Sequence, residues 1–195
     1  MDISLEKDNY QEYKRKRVAK PLLWFGMMSI IMLFAGLTSA VLVRKGDGNW
    51  MQFELPETFL YSTIVIGLSS LTLIWAGFSA KKDKFEAVKI GVGVTFVLGI
   101  LFVVLQFMGY SQLVDRNIFF TGTSQYASGS YLYIVSWVHL LHLAGGMISL
   151  AVVLFNAFRK KYSSKNLLGL QVSSTYWHFM GGIWIYLFIF FSTVI

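Results

Sequence analysis

The sequence predicts an all-α integral membrane protein, a bundle of five transmembrane helices. The first observation is composition: of 195 residues, 55% are hydrophobic and only 14% are charged. An average soluble domain carries about 25% charged residues, which it needs to cover its surface. The second observation is that the charges fall in short clusters separated by long uncharged runs. Together they exclude a soluble globular domain and a disordered chain.

Five uncharged runs are long enough for transmembrane helices, each of which needs about 20 apolar residues. They predict helices at about 21–43, 58–80, 89–110, 131–157 and 173–195. A β-barrel is excluded because its strands alternate apolar and polar residues, whereas a run such as 98–105 is apolar on every side. We therefore expect a polar, basic tail at 1–20, followed by a five-helix membrane domain at 21–195.

The distribution of Lys and Arg predicts the orientation. Of the 17 Lys and Arg residues, 14 lie in the N-terminal tail and in the second and fourth loops. The first and third loops hold only Arg44, Lys45 and Arg116. The positive-inside rule then places the N-terminus in the cytoplasm and the C-terminus outside. The net charge of +7 is thus a topology signal, and no nucleic-acid partner is expected.

Ionisable residues inside membrane spans are the first candidates for function. The predicted spans hold no acid or lysine in their interior, but the fourth contains His139 and His142 and the fifth contains His178. His139 and His142 are three residues apart and share one helix face. Two interpretations stay open: His142 and His178 ligate a b-type haem, or neutral histidines form hydrogen bonds inside the bundle.

Small and polar residues predict where helices meet. Gly91, Thr95 and Gly99 lie on one face of the third helix and favour close packing against a neighbour. Gln106 is a candidate for an interhelical hydrogen bond. The sequence contains no cysteine, which excludes disulfides and zinc–thiolate sites. We find no catalytic set and no metal-ligand cluster, so no catalytic, cofactor-binding or metal residues are expected.

Two motifs stand out in the last two predicted helices: the run from Tyr176 to Phe179 with Trp184, and the run from His139 to Gly146. They resemble the last helix and the helix before it in subunit III of the haem-copper oxidases, the cytochrome c oxidase family. The resemblance covers about 22–195 and fits the short five-helix form. Its motif positions are Gln106, Tyr110, His139, His142, Gly145, Gly146, Tyr176, Trp177, His178, Phe179 and Trp184.

The resemblance implies a non-catalytic subunit of a proton-pumping terminal oxidase of aerobic electron transport, in a bacterial cytoplasmic membrane. Such a subunit has no haem or copper of its own, since these belong to partner subunits. It contacts mainly subunit I, shares the complex with subunits II and IV, and holds phospholipid. It also supports proton uptake and protects the active site during turnover. A larger respiratory supercomplex is left open.

Three alternatives remain at this point. The chain could serve a quinol oxidase instead of a cytochrome c oxidase, could be a stand-alone b-type cytochrome, or could be a small transporter. The sequence also departs from the resembling family at Ile30, Gly109 and Gly181, where that family has carboxylates. Their loss argues against direct proton handling and favours neutral histidines, because an unpaired buried cation is costly.

Overall fold

The computed structural model describes residues 2–48, 50–121, 127–159 and 167–195, with side chains described from Arg17 onward. These residues form five α-helices and no β-strand: α1 (Asp2–Gly46), α2 (Glu57–Lys81), α3 (Phe85–Asp115), α4 (Ala127–Phe158) and α5 (Leu168–Val194). Each of the five is long and apolar enough to cross a membrane. The predicted all-α five-helix membrane bundle is confirmed, and the direction of the termini stays a prediction.

The helices extend beyond the predicted apolar runs. The first begins at Asp2 and continues through Pro21, so the segment predicted as a polar tail is helical and continuous with the first span. α3, α4 and α5 likewise begin four or five residues before the predicted bounds. The reason is that charges mark where the hydrocarbon ends, whereas a helix satisfies its own backbone and can continue into water. Pro21 removes one backbone donor without ending α1.

Helices α2, α3, α4 and α5 form a closed ring, and α1 lies outside it. Each helix of the ring packs on the next, and α5 packs on α2. The contact between α2 and α3 is the most extensive. α1 lies against α4 and α5 and contacts no other described helix. The turn between α2 and α3 is only three residues long and includes Asp83 in the left-handed region, with φ of 52°.

Hydrogen bonds at one end of the bundle join the ends of several helices. Lys45 Nζ and Trp50 Nε1 donate to the carbonyl of Val194 at 2.7 and 3.1 Å, which joins the ends of α1 and α5. Arg116 donates to the carbonyl of Glu54 at 3.0 Å, which joins the end of α3 to the start of α2. The lysines around the α2–α3 turn therefore lie at the opposite end of the bundle, as strict alternation of charge requires.

Candidate functional site

The two helices that carry the histidine and aromatic motifs pack directly on each other. The Tyr176 hydroxyl donates to the carbonyl of His142 at 3.0 Å. A Cβ on Gly146 would lie 3.3 Å from the Tyr176 ring and 3.4 Å from the Trp177 ring, and one on Gly145 would lie 3.9 Å from the Tyr176 hydroxyl. The glycines of α4 thus provide the space that the neighbouring aromatic residues of α5 occupy.

Trp177 lies in the interior of the ring and contacts three other helices. Its side chain is fully buried, and its indole nitrogen donates to Ser69 Oγ of α2 at 3.0 Å. A Cβ on Gly99 of α3 would lie 2.8 Å from the indole and 2.6 Å from the sulfur of Met147. Real side chains do not approach this closely, so only glycine fits at residue 99 beside this indole.

The other two residues on the Gly99 face contact α2. A Cβ on Gly91 would lie 2.7 Å from the Cβ of Ala76, and the hydroxyls of Thr95 and Thr72 are 2.8 Å apart. Thr95 also donates to the carbonyl of Gly91 at 2.8 Å within its own helix. This face of α3 therefore packs against α2 over Gly91 and Thr95, and against α4 and α5 at Gly99.

His139 lies inside a cage of aromatic rings. Its ring centroid is 5.3 Å from that of Trp184, 6.2 Å from Phe34 and 6.3 Å from Phe102. The side chain is fully buried, and neither ring nitrogen has a hydrogen-bond partner among the described residues. Trp184 in turn donates its indole N–H to Thr63 Oγ1 of α2 at 3.0 Å. Among the described residues His139 therefore packs like an aromatic residue and makes no hydrogen bond of the kind that one of the two open interpretations describes.

Gln106 makes the interhelical hydrogen bond for which the sequence makes it a candidate. Its amide nitrogen donates to Ser62 Oγ of α2 at 2.9 Å, while its amide oxygen is buried without a partner in the described part of the chain. Tyr110, one turn further along α3, packs its ring 6.1 Å from Phe59 and 5.3 Å from Tyr133. These residues join α3 to α2 and α4.

His142 and His178 make no hydrogen bond between helices through their rings among the described residues, although the ring of His142 lies 5.9 Å from that of Phe34 of α1. His142 Nδ1 lies 2.8 Å from the carbonyl of Val138, and His178 Nε2 lies 3.1 Å from Ser174 Oγ, so each ring bonds within its own helix. Phe179 is half-buried and packs against the apolar core. The described residues contain no group of three or more His, Asp or Glu side chains placed to hold a metal ion.

The three positions where carboxylates are expected from the resemblance are filled by close packing. A Cβ on Gly109 would lie 2.8 Å from the Phe59 ring and 3.0 Å from the Thr58 hydroxyl. One on Gly181 would lie 3.5 Å from Ile66. Ile30 is half-buried and packs against the core. A longer side chain at Gly109 would therefore push α2 away from α3.

Sequence reasoning missed the contribution of α2. Its hydroxyls accept the key hydrogen bonds: Ser62 from Gln106, Thr63 from Trp184 and Ser69 from Trp177. The signal was present, because hydroxyl residues recur along an otherwise apolar run. The partners could not be assigned without knowing which helix lies opposite.

The family model for cytochrome c oxidase subunit III matches residues 49–193. The chain belongs to the cytochrome c oxidase subunit III family. Relatives named cytochrome c oxidase subunit 3 include that of Corynebacterium diphtheriae, 29% identical over 167 residues, which cover 82% of this chain and 80% of the relative. The Alkalihalophilus pseudofirmus protein is 30% identical over 169 residues, covering 85% and 81%. The Bacillus sp. PS3 protein is 27% identical over 170 residues, covering 85% and 80%.

Membership of this family confirms the resemblance, and the family match covers the helices of the ring. The range matched by the family model contains α2, α3, α4 and all but the last residue of α5, which are the helices of the ring, together with all the motif residues. A subunit III chain is a multi-pass membrane component of an oxidase complex, so partner subunits and a place in the respiratory chain follow. In this subunit III chain, the motif residues Trp177 and Trp184 are buried and hydrogen-bonded to α2.

Proposed function

We propose that this chain is the non-catalytic subunit III of a proton-pumping terminal oxidase in a bacterial cytoplasmic membrane, where it stabilises subunit I. The observation that carries the proposal is the use of the motif residues: Trp177 and Gln106 bond to hydroxyls on α2, and Tyr176 bonds to the backbone of α4. Hydrogen bonds of this kind fix one packing of the helices. A rigid accessory subunit needs such a core, whereas haem and copper reside in the partner subunits.

The outer face of α1 supports a large contact with other subunits. Trp24, Phe25 and Met32 are 62%, 73% and 73% exposed, and α1 packs only against α4 and α5 among the described helices. Such a surface must be covered by lipid or by apolar helices of a neighbour. We assign the main contact to subunit I, with subunits II and IV in the same complex.

A groove between α2 and α5 supports the binding of phospholipid. It has a volume of about 260 Å³ and is lined by apolar side chains of α2, including Leu73 and Phe78, and by Gln171 and Ser174 of α5. Lys81 lies at the same groove, at the lysine-bearing end of the bundle. An acyl chain would lie along the apolar wall while Lys81 attracts the phosphate. This arrangement suits an anionic phospholipid.

The missing carboxylates favour a protective role over a direct role in proton transfer. Ile30, Gly109 and Gly181 carry no titratable group, and Gly109 has no room for one. Support for proton uptake would then act through the structure of subunit I. Relatives named as cytochrome c oxidase subunits favour cytochrome c as the electron donor over quinol.

The proposal is tested by comparing the purified oxidase with and without this chain. Oxidase stripped of the chain should keep its haem and copper spectra and its initial rate. It should lose activity earlier during turnover and unfold at a lower temperature, and adding the chain back should restore both properties. Equal endurance of the two preparations, or loss of haem together with the chain, would overturn the proposal.

A further inference from the structure

A second groove lies between α2 and α5, at the end of the bundle opposite the lysine-bearing α2–α3 turn. Its volume is about 570 Å³, within the range of about 300–1,000 Å³ that is typical of binding sites. We call it the acidic groove. It is lined by the segment before α2, the start of α2 and the end of α5, namely residues 52–57, Leu60, Phe188, Phe191, Ser192 and Ile195.

The main chain before α2 forms one wall of the acidic groove. Residues 52–57 all line it, whereas alternate side chains of a non-helical segment point to opposite sides, which places the main chain itself at the wall. Among the described residues, the N–H groups of 52–55 form no hydrogen bond, and only the carbonyl of Glu54 accepts one, from Arg116. Main-chain groups without partners can pair with a second extended segment.

The edge of the acidic groove carries two carboxylates, those of Glu54 and Glu57, and no cation lines it. Neither carboxylate forms an ion pair within the described part of the chain. Two cations lie close by, but both are engaged by main-chain carbonyls. Arg116 donates to Glu54 at 3.0 Å, and Lys45 donates to Val194 at 2.7 Å. A cleft that carries one sign of charge favours a ligand of the opposite sign.

The rest of the acidic groove is apolar. Phe191 is buried, Phe188 is half-buried, and Leu60 at the edge is 47% exposed. An apolar side chain would cover these groups, and a cation beside it would reach the carboxylates. A polypeptide offers both, together with main-chain groups for the first wall. A phospholipid suits the site less well, because its phosphate would lie against two carboxylates.

We propose that the acidic groove binds a short extended segment of another subunit of the same complex, with a Lys or Arg next to an apolar side chain. The cation pairs with Glu54 and Glu57, the apolar side chain lies on Leu60 and Phe188, and the main chain pairs with that of 52–55. The proposal rests on the proposed function only in requiring a partner subunit.

Site-specific photo-crosslinking in the intact complex tests the proposal. The probe p-benzoylphenylalanine replaces Leu60 in the groove or, as a matched control, Val114, which is 44% exposed near the same end of the bundle and does not line the groove. From Leu60 we expect a crosslink to a Lys- or Arg-containing peptide of another oxidase subunit, which the Val114 probe does not label. Labelling of lipid alone, of a second copy of this chain, of a peptide without a basic residue, or of the same peptide from both positions would overturn it.

A charge reversal connects the crosslink to the carboxylates. Glu54→Lys should lower the crosslink yield from Leu60 by about threefold or more, because it replaces an ion pair by a repulsion. Asp47→Lys makes the same change of charge at the same end of the bundle, outside the groove, and should leave the yield unchanged. Equal yields in the two variants would contradict the proposal. If Glu54→Lys fails to assemble, the wild-type comparison of Leu60 with Val114 still decides.

The outcome for the groove can be separated from the outcome for the proposed function. If haem and the other subunits co-purify with the chain but the Leu60 probe labels none of them, the groove proposal fails and the proposed function stands. If no oxidase subunit co-purifies at all, both fail.

Discussion

The indole nitrogen of Trp177 lies 3.0 Å from the hydroxyl oxygen of Ser69 and joins α5 to α2 in the interior of the bundle. Ser69 donates its own proton to the carbonyl of Ile66 at 2.7 Å, so its oxygen is oriented to accept from the indole. The same indole lies against Gly99 and Gly146. One family-motif residue thereby holds all four helices of the ring, which makes it the first target for mutation.

Trp177→Phe should destabilise the protein, because it removes the hydrogen bond to Ser69 and leaves a gap beside Gly99. We expect a loss of about 2–4 kcal/mol in the free energy of unfolding, from the bond and the cavity together. Thermal unfolding in detergent measures it. Trp137→Phe is the matched control, since Trp137 is 46% exposed on the outside of the bundle. Equal effects of the two changes would show that the interior bond is unimportant.

Gly99→Leu should weaken the bundle by overpacking. A Cβ added at this residue would lie 2.6 Å from the sulfur of Met147 and 2.8 Å from the indole of Trp177. A larger side chain must therefore separate the helices, which lowers the free energy of unfolding by about 1–3 kcal/mol or more. Assembly yield and melting temperature are the measurements. Gly67→Leu serves as the control, because a Cβ at Gly67 meets no other atom within 4 Å. Wild-type yield for Gly99→Leu would mean that this face looks toward lipid.

The hydrogen bond between Gln106 and Ser62 should appear as an energetic coupling. In a double-mutant cycle of Gln106→Leu and Ser62→Ala, we expect a coupling of about 0.5–1.5 kcal/mol, the range for interhelical hydrogen bonds in membranes. Pairing Gln106→Leu with Ser192→Ala gives the control, since Ser192 is exposed and bonds within its own helix. Additive losses in the first cycle would contradict the bond.

His178→Gln should leave the visible spectrum and the turnover of the assembled oxidase unchanged, because His178 Nε2 engages only Ser174 of its own helix among the described residues. Any loss should be confined to stability and be small. The same experiment separates the subunit from a b-type cytochrome: the chain expressed alone should show no haem band in a reduced-minus-oxidised spectrum. A band that disappears in His178→Ala would establish the cytochrome instead.

Lys81→Gln should reduce the amount of anionic phospholipid retained by the purified complex, since Lys81 is the cation that lines the groove between α2 and α5. Native mass spectrometry with lipid analysis measures the retention. Lys84→Gln is the control, because Lys84 is exposed in the α2–α3 turn and does not line the groove. If both variants retain as much lipid as the wild type, the groove is not the lipid site.

The five spans could be predicted from the sequence because lipid excludes charge, so the uncharged runs report directly on the membrane. The ends of the helices could not, since a helix such as α1 continues into water and even through Pro21. Small residues predicted that the Gly91–Gly99 face packs against another helix. They could not identify the neighbours, because Met147 and Trp177 reach Gly99 from other helices.

The candidate site was predictable as a set of motif residues but not as a set of contacts. Gln106 was singled out because an amide in a span needs a partner, yet Ser62 could not be named without the pairing of α2 with α3. For His139 the sequence left a hydrogen-bonded role open, and in the structure its ring packs among aromatic rings. Tertiary packing decides such contacts, and a single sequence does not show which helices are neighbours.

The most direct test of the central claim is the composition of the complex that purifies with the tagged chain in mild detergent. We expect a haem-bearing subunit I identified by mass spectrometry, haem absorbance, and copper in the same fraction. A partner with copper-ligand motifs would identify a cytochrome c oxidase rather than a quinol oxidase. A chain that elutes alone, without oxidase subunits, haem or copper, would contradict the assignment as subunit III of a working oxidase.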